Sequence, residues 1–225
     1  MNQRMLFSAV IFDMDGLMLD TERLARRAWE QAMAEWGYVI PETLYLKVVG
    51  QTTRSTQKIF QESFGPDLPI EAITERSHYL ETAMAQKGIP IKPGLLELLD
   101  QLEQWEIHKA VGSSSSRRFV LHKLTQVGLA HRFEVIVGGD EVLHGKPEPD
   151  IFLAVAHRLQ VPAETCIVLE DSEAGVKAAY TAGMVPLMVP DLKPPTSEIR
   201  QLANRIFPSL HEVRGFLRQL GGVTA

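Results

Sequence analysis

Two aspartates, Asp13 and Asp15, stand one residue apart directly after an apolar run of strand length, Ala9 to Phe12, and Gly16 follows them. A buried strand that ends in carboxylates is typical of an open α/β sheet, where ligands bind at the carboxyl ends of the strands. Neither aspartate has a basic residue near it in the sequence. We therefore expect this pair to bind a cation, with a solvated turn as the alternative.

A run of four serines forms the second candidate element. It follows a strand-like segment, Lys109 to Gly112, and precedes a helical pattern. Serine hydroxyls and free N–H groups at the start of a helix bind phosphate, but serines at such positions also serve simply as helix caps. The cap alternative applies most to Ser115 and Ser116, whereas Ser113 closes the strand itself. We predict that Ser113 and Ser114 bind the substrate.

Two further elements complete the set of chemical groups. Lys146 stands between Gly145 and Pro147, and the stiff surroundings distinguish it from the solvated lysines that are common in surface loops. Glu170 and Asp171 follow another apolar run of strand length, as the first aspartate pair does. Parallel strands bring their carboxyl ends to one edge of a sheet, so we expect these groups to converge there.

The chemistry of the converging groups favours a hard metal ion. Several carboxylates stay ionised side by side only with a cation, and an all-oxygen set with room for water and phosphate suits Mg²⁺. Histidines and the single cysteine, Cys166, are too scattered for a zinc site. The sequence also lacks both the Gly-x-x-x-x-Gly-Lys-Ser/Thr loop and the Gly-x-Gly-x-x-Gly fingerprint, which argues against a conventional ATPase or dehydrogenase.

The elements that position these groups change in type along the chain. Apolar spacing predicts helices only as far as residue 88, and strands and helices alternate after Pro93. Besides 9–12, strands are expected at 109–112, 133–137, 165–169, 186–189 and 205–207. Helices are expected at 21–36, 44–49, 53–64, 70–86, 95–102, 117–128, 150–159, 173–182, 197–204 and 210–220.

This pattern predicts an α/β fold, a Rossmann-like, doubly wound parallel sheet with an inserted all-helical domain. The catalytic core is expected to comprise residues 1–16 and 91–225. Residues 17–90 are expected to form a helical cap over the strand ends, because an insertion of about 70 residues is too long for a simple connection.

Composition limits the partners and the location of the 225-residue chain. The net charge of -5 and the absence of a basic stripe argue against nucleic acid or an anionic membrane as a partner. Cys166 lies in an apolar run and is expected to be a buried, reduced thiol. The start of the chain, 1–4, leads into a strand rather than a signal peptide. We expect a cytoplasmic monomer that acts on a small molecule.

The four elements, taken in order, resemble the motifs of the haloacid dehalogenase-like hydrolases. The resemblance covers nearly the whole chain and indicates the branch with a small helical cap, which includes β-phosphoglucomutase, sugar-phosphate phosphatases, phosphoglycolate phosphatases and pseudouridine 5'-phosphatase. Residues 13–24 are especially similar to the last of these. The matching motifs are Asp13-Met14-Asp15-Gly16, Ser113, Gly145-Lys146-Pro147-Glu148-Pro149-Asp150, and Glu170-Asp171 with Ser172 and Gly175.

The resemblance implies a phosphatase that works through an aspartyl-phosphate. In that chemistry Asp13 attacks phosphorus in line, and Asp15 protonates the leaving alcohol and then takes a proton from the water that cleaves the acyl phosphate. Ser113 hydrogen-bonds a phosphoryl oxygen. Lys146 bridges Asp13 and the transferring group and offsets its charge.

The resemblance also implies a metal site and a source of specificity. Mg²⁺ would be held by Asp13, the carbonyl of Asp15 and Asp171, while Glu170 either coordinates the metal directly or orients the other ligands. Residues of the cap, from 17–23 and 50–54, would contact the leaving group, and we single out Thr52 among them.

Four alternatives have distinct sequence signatures. A receiver domain leaves no place for the helical insert or for Asp15, a dehalogenase does not need an acid at that position, and a non-catalytic protein of this fold should have lost a motif. A phosphomutase is the strongest alternative. Relatives of β-phosphoglucomutase carry a histidine four residues before a tryptophan in the helix after the first motif. Here the tryptophan is Trp29 and the histidine position is Ala25, which favours hydrolysis.

Overall fold

A computed structural model describes residues 6–220 of the chain, and strands alternate with helices through most of it. The strands are β1 (Ala9–Phe12), β2 (His108–Ser113), β3 (Val135–Gly138), β4 (Cys166–Glu170), β5 (Val185–Met188) and β6 (Arg205–Ile206). The helices are α1 (Thr21–Glu35), α2 (Glu42–Val48), α3 (Thr53–Phe64), α4 (Ile70–Gln86), α5 (Leu95–Gln104), α6 (Arg117–Gln126), α7 (Asp150–Leu159), α8 (Glu173–Thr181), α9 (Ser197–Leu202) and α10 (Leu210–Leu220).

The six strands form one parallel sheet in the order β3-β2-β1-β4-β5-β6. The chain adds strands in one direction from β1 to β3, then returns to the other side of β1 with β4. Open α/β sheets bind ligands at such a reversal, outside the carboxyl ends of the two central strands. The prediction of a doubly wound parallel sheet is therefore confirmed, and its switch point lies between β1 and β4.

The strand register brings three candidate elements to the same level. Phe12, the last residue of β1, pairs with Val111 of β2 and Leu169 of β4. The N–H of Asp13 then donates a hydrogen bond to the carbonyl of Leu169 over 3.0 Å. Residues that follow Phe12 must therefore lie beside the ends of both neighbouring strands.

The central strands are buried because helices cover the sheet, as the unbroken apolar runs require. Ile11 and Val168 belong to one core cluster with Phe152 and Val155 of α7. Cys166 lies in the same cluster and is fully buried, as predicted. Burial raises the pKa of this thiol to about 11, so the thiol is not activated as a nucleophile.

Asp20–Pro90 forms a second compact unit, which contains α1 to α4. Inside it the rings of Trp29 and Phe60 pack with centroids 5.1 Å apart. The boundary lies three residues later than the predicted start at 17, because Leu19 bridges to Ile91 in the sheet-containing unit. The role of the helical unit as a cap stays a prediction.

One shifted strand boundary is that of β3, which begins at Val135 rather than at the predicted residue 133. Phe133 follows a short 3-10 helix, and its ring packs edge-on against Phe12 at a centroid distance of 5.8 Å. An apolar side chain next to a strand is thus buried without joining the strand.

The predicted character of residues 1–4 lies outside the described residues. None of the helices within 6–220 combines the length and the apolar character that a membrane crossing requires.

Candidate active site

Asp13 follows β1 at the centre of the sheet edge, and its side chain is mostly buried. The ammonium of Lys146 donates hydrogen bonds to Asp13 Oδ1 and Glu170 Oε1, both at 2.5 Å, and to the carbonyl of Gly112 at 3.0 Å. Lys146 is the predicted lysine, and its Nζ thus connects the ends of β1, β2 and β4.

Burial and neighbouring charges act in opposite directions on this cluster. Burial raises the pKa of Asp13 to about 8; the Lys146 ammonium opposes this rise, and the charge of Glu170 adds to it. Burial by itself lowers the pKa of Lys146, but the two carboxylates more than offset that effect and raise it above its usual value. The lysine therefore stays charged, and a further cation would favour ionised Asp13.

Glu170 is fully buried, and protein donors satisfy both of its carboxylate oxygens. Oε1 accepts from Lys146, while Oε2 accepts from the backbone N–H and the hydroxyl of Ser172, at 3.0 and 2.8 Å. The carboxyl group lies against Gly175 in the first turn of α8, where an added Cβ would come within 1.8 Å of the carboxyl carbon. This packing leaves room only for glycine.

Asp171 provides a third carboxylate at the same edge. One oxygen each from Asp13, Glu170 and Asp171 lie within 4.8 Å of one another, which is a spacing that could hold a metal ion. Three carboxylates form a hard oxygen set, which fits Mg²⁺ or Ca²⁺ better than soft metals. Gly16 adopts φ +85°, and a Cβ there would come within 2.2 Å of Asp171 Oδ2. Glycine at this position therefore lets the loop after β1 approach Asp171.

Asp15 has a basic partner that the sequence does not reveal. Lys123 Nζ donates to Asp15 Oδ1 at 2.9 Å, and the hydroxyl of Ser115 donates to Oδ2 at 3.0 Å. Lys146 was already expected beside Asp13, so the contact from Lys123 is the charged partner that the sequence analysis did not include. Lys123 lies 108 residues away in α6, so spacing along the chain could not show the contact.

The four serines have separate places. Ser113 ends β2, is almost fully buried, and its hydroxyl accepts from the N–H of Ser115 at 3.2 Å. Ser114 is exposed. Ser116 occupies the N-cap position of α6 without a side-chain capping bond, and the first N–H of the helix, that of Arg117, instead donates to Asp140. The run of serines therefore does not serve simply as a helix cap, since the hydroxyl of Ser115 donates to Asp15.

Thr52 lies in the other compact unit, as the N-cap of α3. Its hydroxyl oxygen accepts from the N–H of Ser55 at 3.2 Å, which is the usual capping contact. The structure gives Thr52 this local role, and its predicted contact with substrate stays a prediction.

Gly175 gives the first testable consequence of the site geometry. We expect Gly175→Ala to lower the free energy of unfolding by about 1–3 kcal/mol, since a methyl group there overpacks the held Glu170 carboxyl. The matched control is Gly215→Ala in α10, where a Cβ meets no atom within 4 Å. That change should stabilise the helix by up to about 1 kcal/mol. Urea unfolding measures both; equal stabilities for the two variants would contradict the packing argument.

The sheet order and the cluster at its switch point define a Rossmann-like α/β protein with an acidic, metal-competent site. Residues 10–189 match the haloacid dehalogenase-like hydrolase family, so the chain belongs to this family, as the sequence motifs predicted.

Individual relatives agree with this membership. A phosphorylated carbohydrates phosphatase from Thermotoga maritima is 35% identical over 176 residues, covering 78% of this chain and 82% of that protein. A Drosophila melanogaster protein named "Probable pseudouridine-5'-phosphatase" is 36% identical over 191 residues, covering 80% of each chain. A crystal structure of a Thermotoga maritima protein, provisionally called a β-phosphoglucomutase, superposes with a TM-score of 0.80 at 30% identity, covering 94% of this chain and 99% of that one.

Proposed function

We propose that the protein is a Mg²⁺-dependent phosphatase that hydrolyses a small phosphomonoester, a sugar phosphate or a nucleotide-like one, through an aspartyl-phosphate. The observation that carries the proposal is the buried Asp13 carboxylate, held by Lys146 at 2.5 Å at the switch point of the sheet. A buried carboxylate with a fixed ammonium beside it suits nucleophilic attack on a phosphoryl group, because the ammonium offsets the charge that develops in the transition state.

The first step forms the bond between a carboxylate oxygen of Asp13 and phosphorus, and breaks the ester bond to the leaving alcohol. Lys146 orients the nucleophile and offsets charge on the phosphoryl oxygens. Ser113, at the end of the adjacent strand, offers a hydroxyl for one of those oxygens. Asp15 supplies the proton that the leaving oxygen takes up.

The second step returns the enzyme to its starting state. Asp15, now ionised, takes a proton from water, and the resulting hydroxide attacks phosphorus and releases Asp13 with inorganic phosphate. Both steps use one carboxyl group as acid and then as base, so Asp15 has to stay close to the oxygen that changes bonds.

The residues that would hold the metal are Asp13, Asp171 and the carbonyl of Asp15, and the bound ion would offset negative charge on the phosphoryl group. Glu170 remains in the predicted metal set. Because Lys146 and Ser172 already donate to both of its oxygens, we favour a role in which Glu170 orients Lys146.

Metal removal tests this part of the proposal. We expect excess chelator to abolish phosphate release and added Mg²⁺ to restore it. Ca²⁺ should not support full activity, because it is larger and prefers more ligands. Phosphate release is measured after each addition, and undiminished turnover in excess chelator would rule out the metal assignment.

The experiment that tests the function is a substrate panel. With Mg²⁺ present, inorganic phosphate is followed from fructose 1-phosphate, glucose 6-phosphate, ribose 5-phosphate, nucleoside 5'-monophosphates, phosphoglycolate and 4-nitrophenyl phosphate. We expect release from at least one alkyl monoester. We further propose that the helical unit selects among them, with Thr52 as one of the residues involved.

A phosphomutase is the alternative, because one structural relative is described as a β-phosphoglucomutase. Both reactions pass through the same phosphoenzyme, so the fate of the phosphoryl group separates them. We favour hydrolysis because Ala25 stands where β-phosphoglucomutase relatives carry histidine. In the decisive experiment the protein receives β-glucose 1-phosphate with a trace of the bisphosphate, and products are followed by phosphorus NMR. Glucose 6-phosphate that accumulates faster than inorganic phosphate would overturn the phosphatase proposal.

A further inference from the structure

The ammonium of Lys123 is an ion-pair partner of Asp15 that the chemistry above does not use. The two side chains meet at 2.9 Å, and the Lys123 side chain is only 8% exposed. Its Nζ also lies 4.2 Å from the centroid of the Phe119 ring, one turn earlier in α6. Holding an ammonium away from water is costly unless it is paired, so the position of Lys123 is tied to Asp15.

Asp15 receives one hydrogen bond on each carboxylate oxygen, and the two donors come from different elements. Lys123 donates from α6, and Ser115 donates from the loop after β2, where its own N–H is held by Ser113. Two donors on separate anchored elements fix the plane of a carboxyl group, whereas Asp15 alone, partly exposed, would rotate freely.

We infer that Lys123 is a positioning residue that orients Asp15 for proton transfer to the leaving oxygen. The inference rests on the proposed function, because it assumes that Asp15 is the acid of the first step. The competing explanation is a purely structural role, in which Lys123 connects α6 to the loop after β1. The two explanations differ in whether the loss of kcat/KM on substitution of Lys123 depends on the leaving group.

The first step separates the two explanations. An alkoxide leaves only when the ester oxygen takes up a proton from Asp15, whereas 4-nitrophenolate leaves without one. The value of kcat/KM reports the steps through formation of the aspartyl-phosphate. Poor orientation of Asp15 should therefore lower kcat/KM for an alkyl phosphate and spare it for 4-nitrophenyl phosphate.

The test compares Lys123→Met with wild type on 4-nitrophenyl phosphate and on glucose 6-phosphate, or on the fastest alkyl monoester of the panel. We expect about a tenfold loss of kcat/KM for the alkyl ester, out of the roughly 10²–10⁴-fold that a positioned acid contributes. The aryl ester should change less than twofold. Lys123→Arg should restore most of the loss, because a guanidinium also donates to a carboxylate.

Two further variants serve as a control and as an independent test. Lys109→Met is the matched control, because Lys109 is also a buried lysine with an acidic partner, Glu103, at 2.9 Å. It lies near the start of β2, away from the carboxyl ends of the strands where the site is. Neither substrate should be affected by it. Ser115→Ala removes the other donor and should shift the alkyl-to-aryl ratio in the same direction, which tests the inference even where Lys123→Met folds poorly.

The outcomes separate this inference from the proposed function. An equal change for both esters in Lys123→Met, or a higher alkyl kcat/KM, would overturn the positioning role; the second result would mean that the pair holds Asp15 away from the reaction. Wild-type protein that releases phosphate from neither ester would overturn the proposed function itself.

Discussion

Asp13→Asn should lower the rate of phosphate release by at least about 10⁴-fold, as expected when the nucleophile of a covalent mechanism is removed. The amide still fits between β1 and Lys146 and can accept the same hydrogen bond through its carbonyl oxygen, so the fold should persist. Phosphate release under single-turnover and steady-state conditions measures the loss. Near-normal release would rule out Asp13 as the nucleophile.

The stability of the same variant provides the control for folding. The buried Asp13 carboxyl has its pKa raised from 3.8 to about 8 in the metal-free protein, so folding disfavours the ionised form. Wild type therefore loses stability as pH rises from about 4 to 8, because only the unfolded chain releases this proton freely. Asp13→Asn lacks this titration. In chelator it should melt higher than wild type at pH 7.5, and the difference should shrink towards pH 4.

The strand ends were predictable because burial and charge change abruptly there. The central strands are covered on both faces, so the sequence shows an unbroken apolar run such as Ala9–Phe12, and a carboxylate directly after it marks the point where the chain leaves the core. Asp13 and Glu170 were found in this way. Predicted and observed boundaries differ where an apolar side chain is buried outside a strand, as Phe133 is.

Contacts between distant elements were not predictable from spacing. Lys123 lies on a helix with other basic and polar residues, and nothing along the chain distinguishes a lysine that reaches Asp15 from one that points to solvent. The role of Gly175 was hidden for a similar reason. In the sequence, a glycine in the first turn of a helix indicates only a weak helical preference. The structure shows why glycine is required here, because the Glu170 carboxyl occupies the space of a Cβ.

Lys146→Met should cost both activity and stability. The variant removes the ammonium that lies between the buried carboxylates of Asp13 and Glu170, leaving them without its charge. Removing one partner of a buried ion pair costs about 3–5 kcal/mol of unfolding free energy, because the remaining charge stays away from water. We also expect phosphate release to fall by at least about 10³-fold, since the charge that offsets the transition state is lost. Urea unfolding in chelator and the phosphate assay measure the two effects.

A double variant shows whether charge compensation is the reason. Adding Glu170→Gln to Lys146→Met removes a buried negative charge while keeping an acceptor for the Ser172 donors, so much of the stability should return although activity stays low. The matched control is Lys109→Met, whose partner Glu103 keeps two contacts from Arg132 and should lose about 1 kcal/mol or less. If the double variant is no more stable than Lys146→Met alone, the lost stability comes from the hydrogen bonds of the ammonium to Asp13 and to the Gly112 carbonyl. Lys146 would then position Asp13 without compensating a buried charge.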